Sequence, residues 1–415
     1  MTERPSPLAD DHTVGAAPGR LQGGVVVVGA GIVGLATAYA LARQGVRVTV
    51  VDKERSVAAH QTGHNSGVVH SGVYYTPGSL KASFAARGAR TMVEFAEQHG
   101  IAHEVCGKLI VASSQNQLAA LRELERRAGA NGVPAVWLDP DQAAEYEPHV
   151  ACVAALRIES TAVVDYPAVC QVLARLVEQR GGRVLLGREV RRIKVAGRQV
   201  EVDTTGETIT ADHLVNCAGL HSDVIAMMAG LDPDVRILPF RGEYYDVRGP
   251  AQNLVRGLIY PVPDPALPFL GVHLTRGIDG SVHAGPNAVL ALAREGYRWR
   301  DVVPSDVRAA LTWPGSWGLA RRYWRVGASE VARSASRRMF VASVRRLVPE
   351  LSPHDVVRAG SGVRAQAVRR SGDLVDDFHI VEADRQLHVL NAPSPAATAA
   401  LEIGEELART VISRT

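Results

Sequence analysis

VVVVGAGIVGLATAYALARQGVRVTVVD, residues 25–52, is the stretch that decides how this chain folds. Four consecutive valines, Val25–Val28, read as a short buried strand, and the glycines follow at once in Gly29-Ala30-Gly31-Ile32-Val33-Gly34. An apolar, uncharged helix then runs to about Gln44, Gly45 ends it, and a second strand, Arg47 to Val51, closes on Asp52. Each part has a mechanical reason. Gly29 allows the tight turn, Gly31 lets the backbone come up to a pyrophosphate, and Gly34 lets the helix sit close to the strands. Free N–H groups and the positive dipole end at the helix N-terminus favour that anion. Asp52, about twenty residues on, stands where a carboxylate accepts hydrogen bonds from a ribose 2′-OH. A glycine triplet alone is a weak signal, but with both strands, the helix and the acidic residue in place it predicts a dinucleotide-binding βαβ unit. The stretch also holds about eighteen uncharged residues, a membrane-spanning length. The valine run is a strand signal and the glycines keep motif spacing, so the spanning reading is set aside.

With 415 residues the chain has room for two or more domains with substantial cores. A formal net charge of +3 is too small to argue for a nucleic-acid partner. The four cysteines, Cys106, Cys152, Cys170 and Cys217, form no CxxC pair and read as reduced, mostly buried thiols of a cytoplasmic protein. No HExxH or paired CxxC spacing appears, so no metal is expected. Residues 1–23 lack periodicity and read as a disordered tail. They also lack the apolar segment of a secretory signal.

After Asp52 the loop His60–Tyr75 is dense in hydrogen-bond donors, as a surface loop or as a loop that carries a site. Helices are expected over Ser79–Gly100, Asn116–Ala130 and Asp165–Arg180, and strands over Lys108–Ser113, Arg183–Leu186, Glu189–Val195 and Val200–Thr204. The run Ile209–Asn216 leads into Cys217-Ala218-Gly219, a strand end whose backbone can lie flat against a planar ligand. Residues 236–289 are strand-rich and aromatic. Trp299–Arg346 is arginine-rich and holds four of the five tryptophans. It reads either as a helical subdomain with solvated arginines or as a patch that docks on an anionic membrane surface. Strands at Phe378–Glu382 and Leu387–Leu390 precede NAPSPAAT and a last helix to about Ile412. Ser394 is expected as the cap of that helix and Pro395 in its first turn.

The glycine motif, the loop HQTGHNSGVVHSGVYYTPGSLKA, PFRGEYY, YPVPDPALPFLGVHLTRGIDGSVHAGPNAVLA, GVRAQAV and NAPSPAATAA together resemble the L-2-hydroxyglutarate oxidase/dehydrogenase family. That family lies within the FAD-dependent oxidoreductases of the D-amino-acid oxidase group. The likeness runs from about residue 24 to the C-terminus and is weakest over Trp299–Arg346. It implies an α/β (α+β) fold. A discontinuous Rossmann-like FAD-binding domain would gather residues 24–95, 160–225 and 356–415, and an antiparallel-sheet substrate domain with helices would comprise 96–159 and 226–355. By the same resemblance Gly29, Gly31 and Gly34 hold the pyrophosphate, Asp52 the adenosine ribose, and the backbone of Val190 touches adenine. Thr62, Asn65, Ser66 and Gly67 would lie along the isoalloxazine and ribityl chain. Ala218 and Gly219 fit the second strand end of this fold, and Lys53 and Gly362 are counted with the cofactor contacts. Ser394, Pro395, Ala396, Ala397 and Thr398 would aim the last helix at the flavin pyrimidine, where negative charge develops on reduction.

Oxidising a 2-hydroxy acid requires a hydride to leave Cα for flavin N5 while the hydroxyl proton goes to a base. A neutral histidine suits that base, and His70 and His273 are the candidates, with His64 a weaker third. A dicarboxylate substrate needs cations that fork onto carboxylates, which favours arginine. Arg364 is the first candidate, Arg241 the second, with Glu243 nearby as an ion-pair alternative, and Arg276 the third. Tyr74 and Tyr260 would add hydroxyl donors. The expected reaction is FAD-dependent conversion of L-2-hydroxyglutarate to 2-oxoglutarate, with oxygen or a quinone as electron acceptor. The rivals are oxidation of another 2-hydroxy acid, an amino acid or glycerol 3-phosphate on the same fold, and a silent dinucleotide-binding sensor. The expected location is cytoplasmic, with 299–346 as a candidate peripheral contact to the inner face of the membrane. The oligomeric state stays open.

Overall fold

A computed structural model describes residues 23–264 and 270–414. All but the last residue of the tail expected over 1–23, and the PALPF segment of the midchain motif, lie outside the described residues.

The opening motif folds as β1 (Val25–Val28), α1 (Ile32–Arg43) and β2 (Val48–Val51). β1 sits inside a six-stranded sheet, parallel to β2 on one side and to His213–Asn216 on the other. Gln386–Asn391 continues the sheet in parallel beyond His213–Asn216, and His379–Ala383 closes that edge antiparallel. Arg183–Leu185 forms the opposite edge, beside β2. Three distant parts of the chain thus build one sheet, and the valines of β1, buried on both of its faces, form its centre. Val25 and Val27 point to the face carrying α1, the helix Tyr166–Gln179 and the final helix Ala400–Ile412. Val26 and Val28 point to the other face, under an antiparallel meander of residues 190–211. The run Ile209–Asn216 divides between the two, with Thr208–Ala211 in the meander and His213–Asn216 in the main sheet.

A second, nine-stranded and largely antiparallel sheet carries Lys108–Ala112, Val235–Val247, Leu258–Pro261 and His273–Arg276. The expected α/β (α+β) class is therefore the one adopted. One boundary moves. Val356–Arg369, assigned above to the nucleotide unit with all of 356–415, pairs along its whole length with Val235–Val247 in the large sheet, from Val235↔Arg369 to Val247↔Val356. This strand is part of the large sheet, and its Gly362, Val363, Arg364, Ala365 and Gln366 line the cavity between the two sheets.

The last helix is also displaced. It begins at Ala400 and not at Pro395, so Ser394 is not its cap; Ala399 occupies that place with no side-chain hydrogen bond. Residues 395–399 form turns instead, giving the chain room to leave the strand Gln386–Asn391 before the helix starts. Residues 299–346 contain three helices, Pro304–Thr312, Pro314–Ala335 and Arg337–Val344. Their tryptophans divide: Trp313 is buried and donates to the Val368 carbonyl at 3.0 Å, whereas Trp317 and Trp324 are each 62 % exposed.

α1 and the final helix touch backbone to backbone. A Cβ added at Gly404 would stand 2.6 Å from the carbonyl carbon of Ala36. Gly404→Leu is therefore expected to lower stability by about 1–3 kcal/mol or more, read as a fall in Tm. Gly129→Ala, at an exposed position of the helix Leu118–Ala130 where an added Cβ meets nothing within 4 Å, is expected to raise Tm slightly, because alanine is the better helix former.

Candidate active site

Between the two sheets lies a cavity of about 760 Å³ that reaches from Val190, beside the meander, to His273 in the large sheet. Its first wall is the glycine turn. Gly29 has φ +112°, and an added Cβ would collide with the Cys217 carbonyl; one at Gly34 would collide with the Gly29 carbonyl. Gly34 therefore seats the helix and does not line the cavity. Gly31 does line it, and its nearest neighbour would be Thr62 Oγ1 at 3.5 Å. That gap, at the N-terminus of α1, is where a phosphate can approach. Thr62 Oγ1 accepts from the Ile32 N–H at 3.2 Å, holding the following loop against the same helix end.

Asp52 lines the cavity, with its carboxylate braced by the backbone. Oδ2 accepts from the Ala30 N–H at 2.7 Å and Oδ1 from the Glu54 N–H at 2.8 Å. Each oxygen retains a lone pair for a ribose hydroxyl. Val190, Ala218 and Gly219 lie on the same wall. Lys53 lines the cavity too, but its ammonium is ion-paired to Glu54 and, at 2.6 Å, to Glu295. Glu54, His60 and Glu295 bring their ligand atoms within 4.8 Å of one another; Lys53 supplies the cation those carboxylates need.

Asn65 and Ser66 face the cavity, whereas Gly67 does not. Gly67 turns the loop at φ +68° and gives its carbonyl to the Val164 N–H at 2.8 Å. Ser394, Pro395, Ala396, Ala397 and Thr398 all line the cavity, as turns and not as a helix end. Thr398 ties them down: its Oγ1 accepts from the His70 N–H at 3.0 Å and lies 3.2 Å from Tyr166 Oη. Gly362 also lines the cavity; a Cβ there would collide with the His64 carbonyl, so the strand Val356–Arg369 presses on the loop.

The far wall gathers His70, His273, Tyr74, Tyr244, Tyr260 and Arg364. His273 stacks on Tyr260 with ring centroids 4.0 Å apart. Its Nδ1 lies 3.1 Å from the Gly271 carbonyl. A carbonyl only accepts, so Nδ1 carries the proton and the neutral ring presents Nε2 as a lone pair. Burial pulls both imidazoles down to about 3, and the positive charges of Lys108 and Arg364 act in the same direction.

Two expected carboxylate ligands are elsewhere. Arg241 is buried outside the cavity, 3.3 Å from Glu243 and 4.5 Å above the Trp299 ring. Alternation along Val235–Val247 explains it: Gly242 and Tyr244 face the cavity, so Arg241 and Glu243 face away. Arg276 spends its guanidinium on the carbonyls of Gln252, Val255 and Gly280. One group escaped the sequence reading altogether. Lys108 is fully buried, its ammonium 4.5 Å from the Tyr74 ring centroid and 5.0 Å from that of Tyr260. The signal was a lysine heading an otherwise apolar strand, KLIVA, with every position buried.

The family model for FAD dependent oxidoreductases matches residues 24–410. The chain is similar to the L-2-hydroxyglutarate dehydrogenase of Indibacter alkaliphilus, at 43 % identity over 94 % of this chain and 99 % of the relative. It is equally similar to that of Escherichia coli K12, at 43 % identity over 92 % of this chain and 91 % of the relative. Among solved structures it resembles FAD-bound, dithionite-reduced L-alpha-glycerophosphate oxidase from Mycoplasma pneumoniae, with a TM-score of 0.77, 24 % identity and 94 % of each chain covered. That likeness is one of fold.

The two glycines separate binding from folding. Gly31→Val is expected to yield folded protein with its flavin absorbance lost, because the added methyls enter the cavity. Gly34→Val is expected to lower the yield of folded protein itself, since the collision is with backbone. Absorbance spectra and thermal melts of both variants check this.

Proposed function

The chain belongs to the FAD-dependent oxidoreductases, in their L-2-hydroxyglutarate dehydrogenase family, and from that premise we propose that it oxidises L-2-hydroxyglutarate to 2-oxoglutarate. The residues present fit FAD. A glycine cradle opens at a helix N-terminus, a braced carboxylate stands at the end of β2, and one cavity continues from there to a wall of titratable side chains. Bound FAD supplies the two-electron acceptor for the hydride of the substrate Cα.

The observation that carries the reading is the pairing of a cation, Arg364, with two neutral imidazoles on that far wall. Arg364 binds the carboxylate next to the reacting carbon, where its planar fork can orient Cα. His273 accepts the hydroxyl proton at Nε2, its ring fixed by the bond to the Gly271 carbonyl. His70, held through its backbone by Thr398, stands as the second imidazole of the pair. Gly29, Gly31, Asp52, Thr62, Val190, Ala218, Gly219 and the 394–398 turns hold the cofactor.

The electrons leave to oxygen or to a quinone. No described helix is long and apolar enough to cross a membrane. Peripheral contact with an anionic lipid surface through 299–346 is supported by Trp317 and Trp324, each 62 % exposed, with Leu311 at 56 % and the exposed arginines Arg321, Arg322 and Arg325. Flotation with anionic vesicles that is lost in Trp317→Ala/Trp324→Ala tests it, and absence of flotation in the parent protein removes it.

Anaerobic mixing of the holoenzyme with L-2-hydroxyglutarate is expected to bleach the flavin absorbance, and the D-enantiomer to leave it unchanged. A yellow protein that does not bleach removes the substrate assignment and leaves the cofactor. Arg364→Met is expected to lower kcat/KM by about a hundredfold or more with FAD retained. In the free enzyme His273 is deprotonated, hence able to accept a proton, above about pH 3. The kcat/KM profile is therefore expected to show no acid limb near 6.5, the ordinary histidine value; a limb there would reassign the base.

A further inference from the structure

Lys108 heads the strand Lys108–Ala112 in the large sheet, between Leu258–Pro261 and Ala154–Ile158. Its side chain is fully buried, and among the described residues its Nζ has no hydrogen-bond partner. An ammonium carries three donors, and leaving it buried and unpaired is strongly unfavourable. The faces of Tyr74 and Tyr260 offset only part of that. Burial accordingly draws the lysine down to about 7. An anion in the cavity on the far side of those rings would favour the ammonium.

Both flanking tyrosines line the cavity, and the Tyr74 hydroxyl is likewise without a partner among the described residues. Arg364 lines the same cavity from the strand Val356–Arg369. The charges of Lys108 and Arg364 are both felt by His70 and His273, so two cations converge on one pair of imidazoles. A 2-hydroxy acid with one carboxylate leaves the buried Lys108 charge unanswered; the second carboxylate of a five-carbon dicarboxylate answers it.

We propose that Lys108 selects a dicarboxylate: acting through the Tyr74 and Tyr260 side chains that separate it from the cavity, its ammonium fixes the carboxylate remote from the reacting carbon while Arg364 takes the near one. Lys108 is thus a positioning residue. The cation behind the rings places positive potential on the part of the cavity that Tyr74 and Tyr260 line, and the unpartnered Tyr74 hydroxyl supplies a donor there. This inference rests on the assignment of L-2-hydroxyglutarate as substrate and extends it to the group that excludes monocarboxylates.

The test uses the holoenzyme and two product-like ligands of equal chain length, 2-oxoglutarate and 2-oxovalerate, which differ in the second carboxylate. Binding is read from the perturbation of the flavin spectrum. Lys108→Met is expected to weaken 2-oxoglutarate by about a hundredfold and 2-oxovalerate by less than about threefold, with Lys108→Arg recovering much of the loss. With L-2-hydroxyglutarate itself, KM is expected to rise more than kcat falls. Tyr74→Phe, which keeps the ring, is expected to weaken 2-oxoglutarate selectively by about tenfold; it keeps the proposal testable if Lys108→Met does not retain FAD. Equal weakening of both ligands, or no change in either, overturns the inference while leaving the substrate assignment intact. A parent holoenzyme that neither binds 2-oxoglutarate nor is reduced by L-2-hydroxyglutarate overturns the assignment, and the inference with it.

Discussion

The contact on which this molecule depends is the one between Gly34 and the Gly29 carbonyl. No side chain fits there, so the first turn of α1 lies directly on the strand end that precedes it. That seating points the helix N-terminus into the cavity and brings the Ala30 N–H onto the Asp52 carboxylate, locking β1, α1 and β2 into one unit. The same economy of side chains recurs where the final helix meets α1 at Gly404. A chain that returns to this sheet from three distant segments needs such close contacts, because its helices must share one face of a narrow sheet.

The cavity lies where the second sheet meets the first, and the strand Val356–Arg369 lines it at that junction. It pairs with Val235–Val247 for its full length, presses Gly362 on the loop carrying His64, and delivers Arg364 to the cavity. Period-two alternation then sorts the charges of the partner strand. Gly242 and Tyr244 go to the cavity, while Arg241 and Glu243 form their own buried pair beneath Trp299. Burial does the electrostatic work on the far wall, holding His70 and His273 well below the ordinary histidine value and drawing Lys108 down.

Much of this was legible in the residues. Val25–Val28, the spacing of Gly29, Gly31 and Gly34, and the position of Asp52 each report a local requirement, and local requirements leave local patterns. The donor-rich loop after Asp52 drew attention for the same reason, and Thr62, Asn65, Ser66 and His70 do face the cavity. Gly67 misled because a glycine in such a loop serves equally well as a turn. Ser394-Pro395 misled because a cap-and-proline signature is satisfied by the dipeptide alone, whether or not a helix follows immediately.

The sequence by itself determined the βαβ unit and the loop that carries polar groups, since these follow from steric needs of neighbouring residues. It also held the long motifs that mark the family. Only the tertiary structure decided which face each charged side chain takes. Arg241 and Arg364 both stand in glycine-flanked strand segments, yet one is buried in an ion pair and the other lines the site. Lys108 opens a segment read simply as a strand, and the fold places it between two tyrosines far apart in sequence. A residue's partners across a sheet are set by register and by which layers meet, and neither is written within reach of the residue itself.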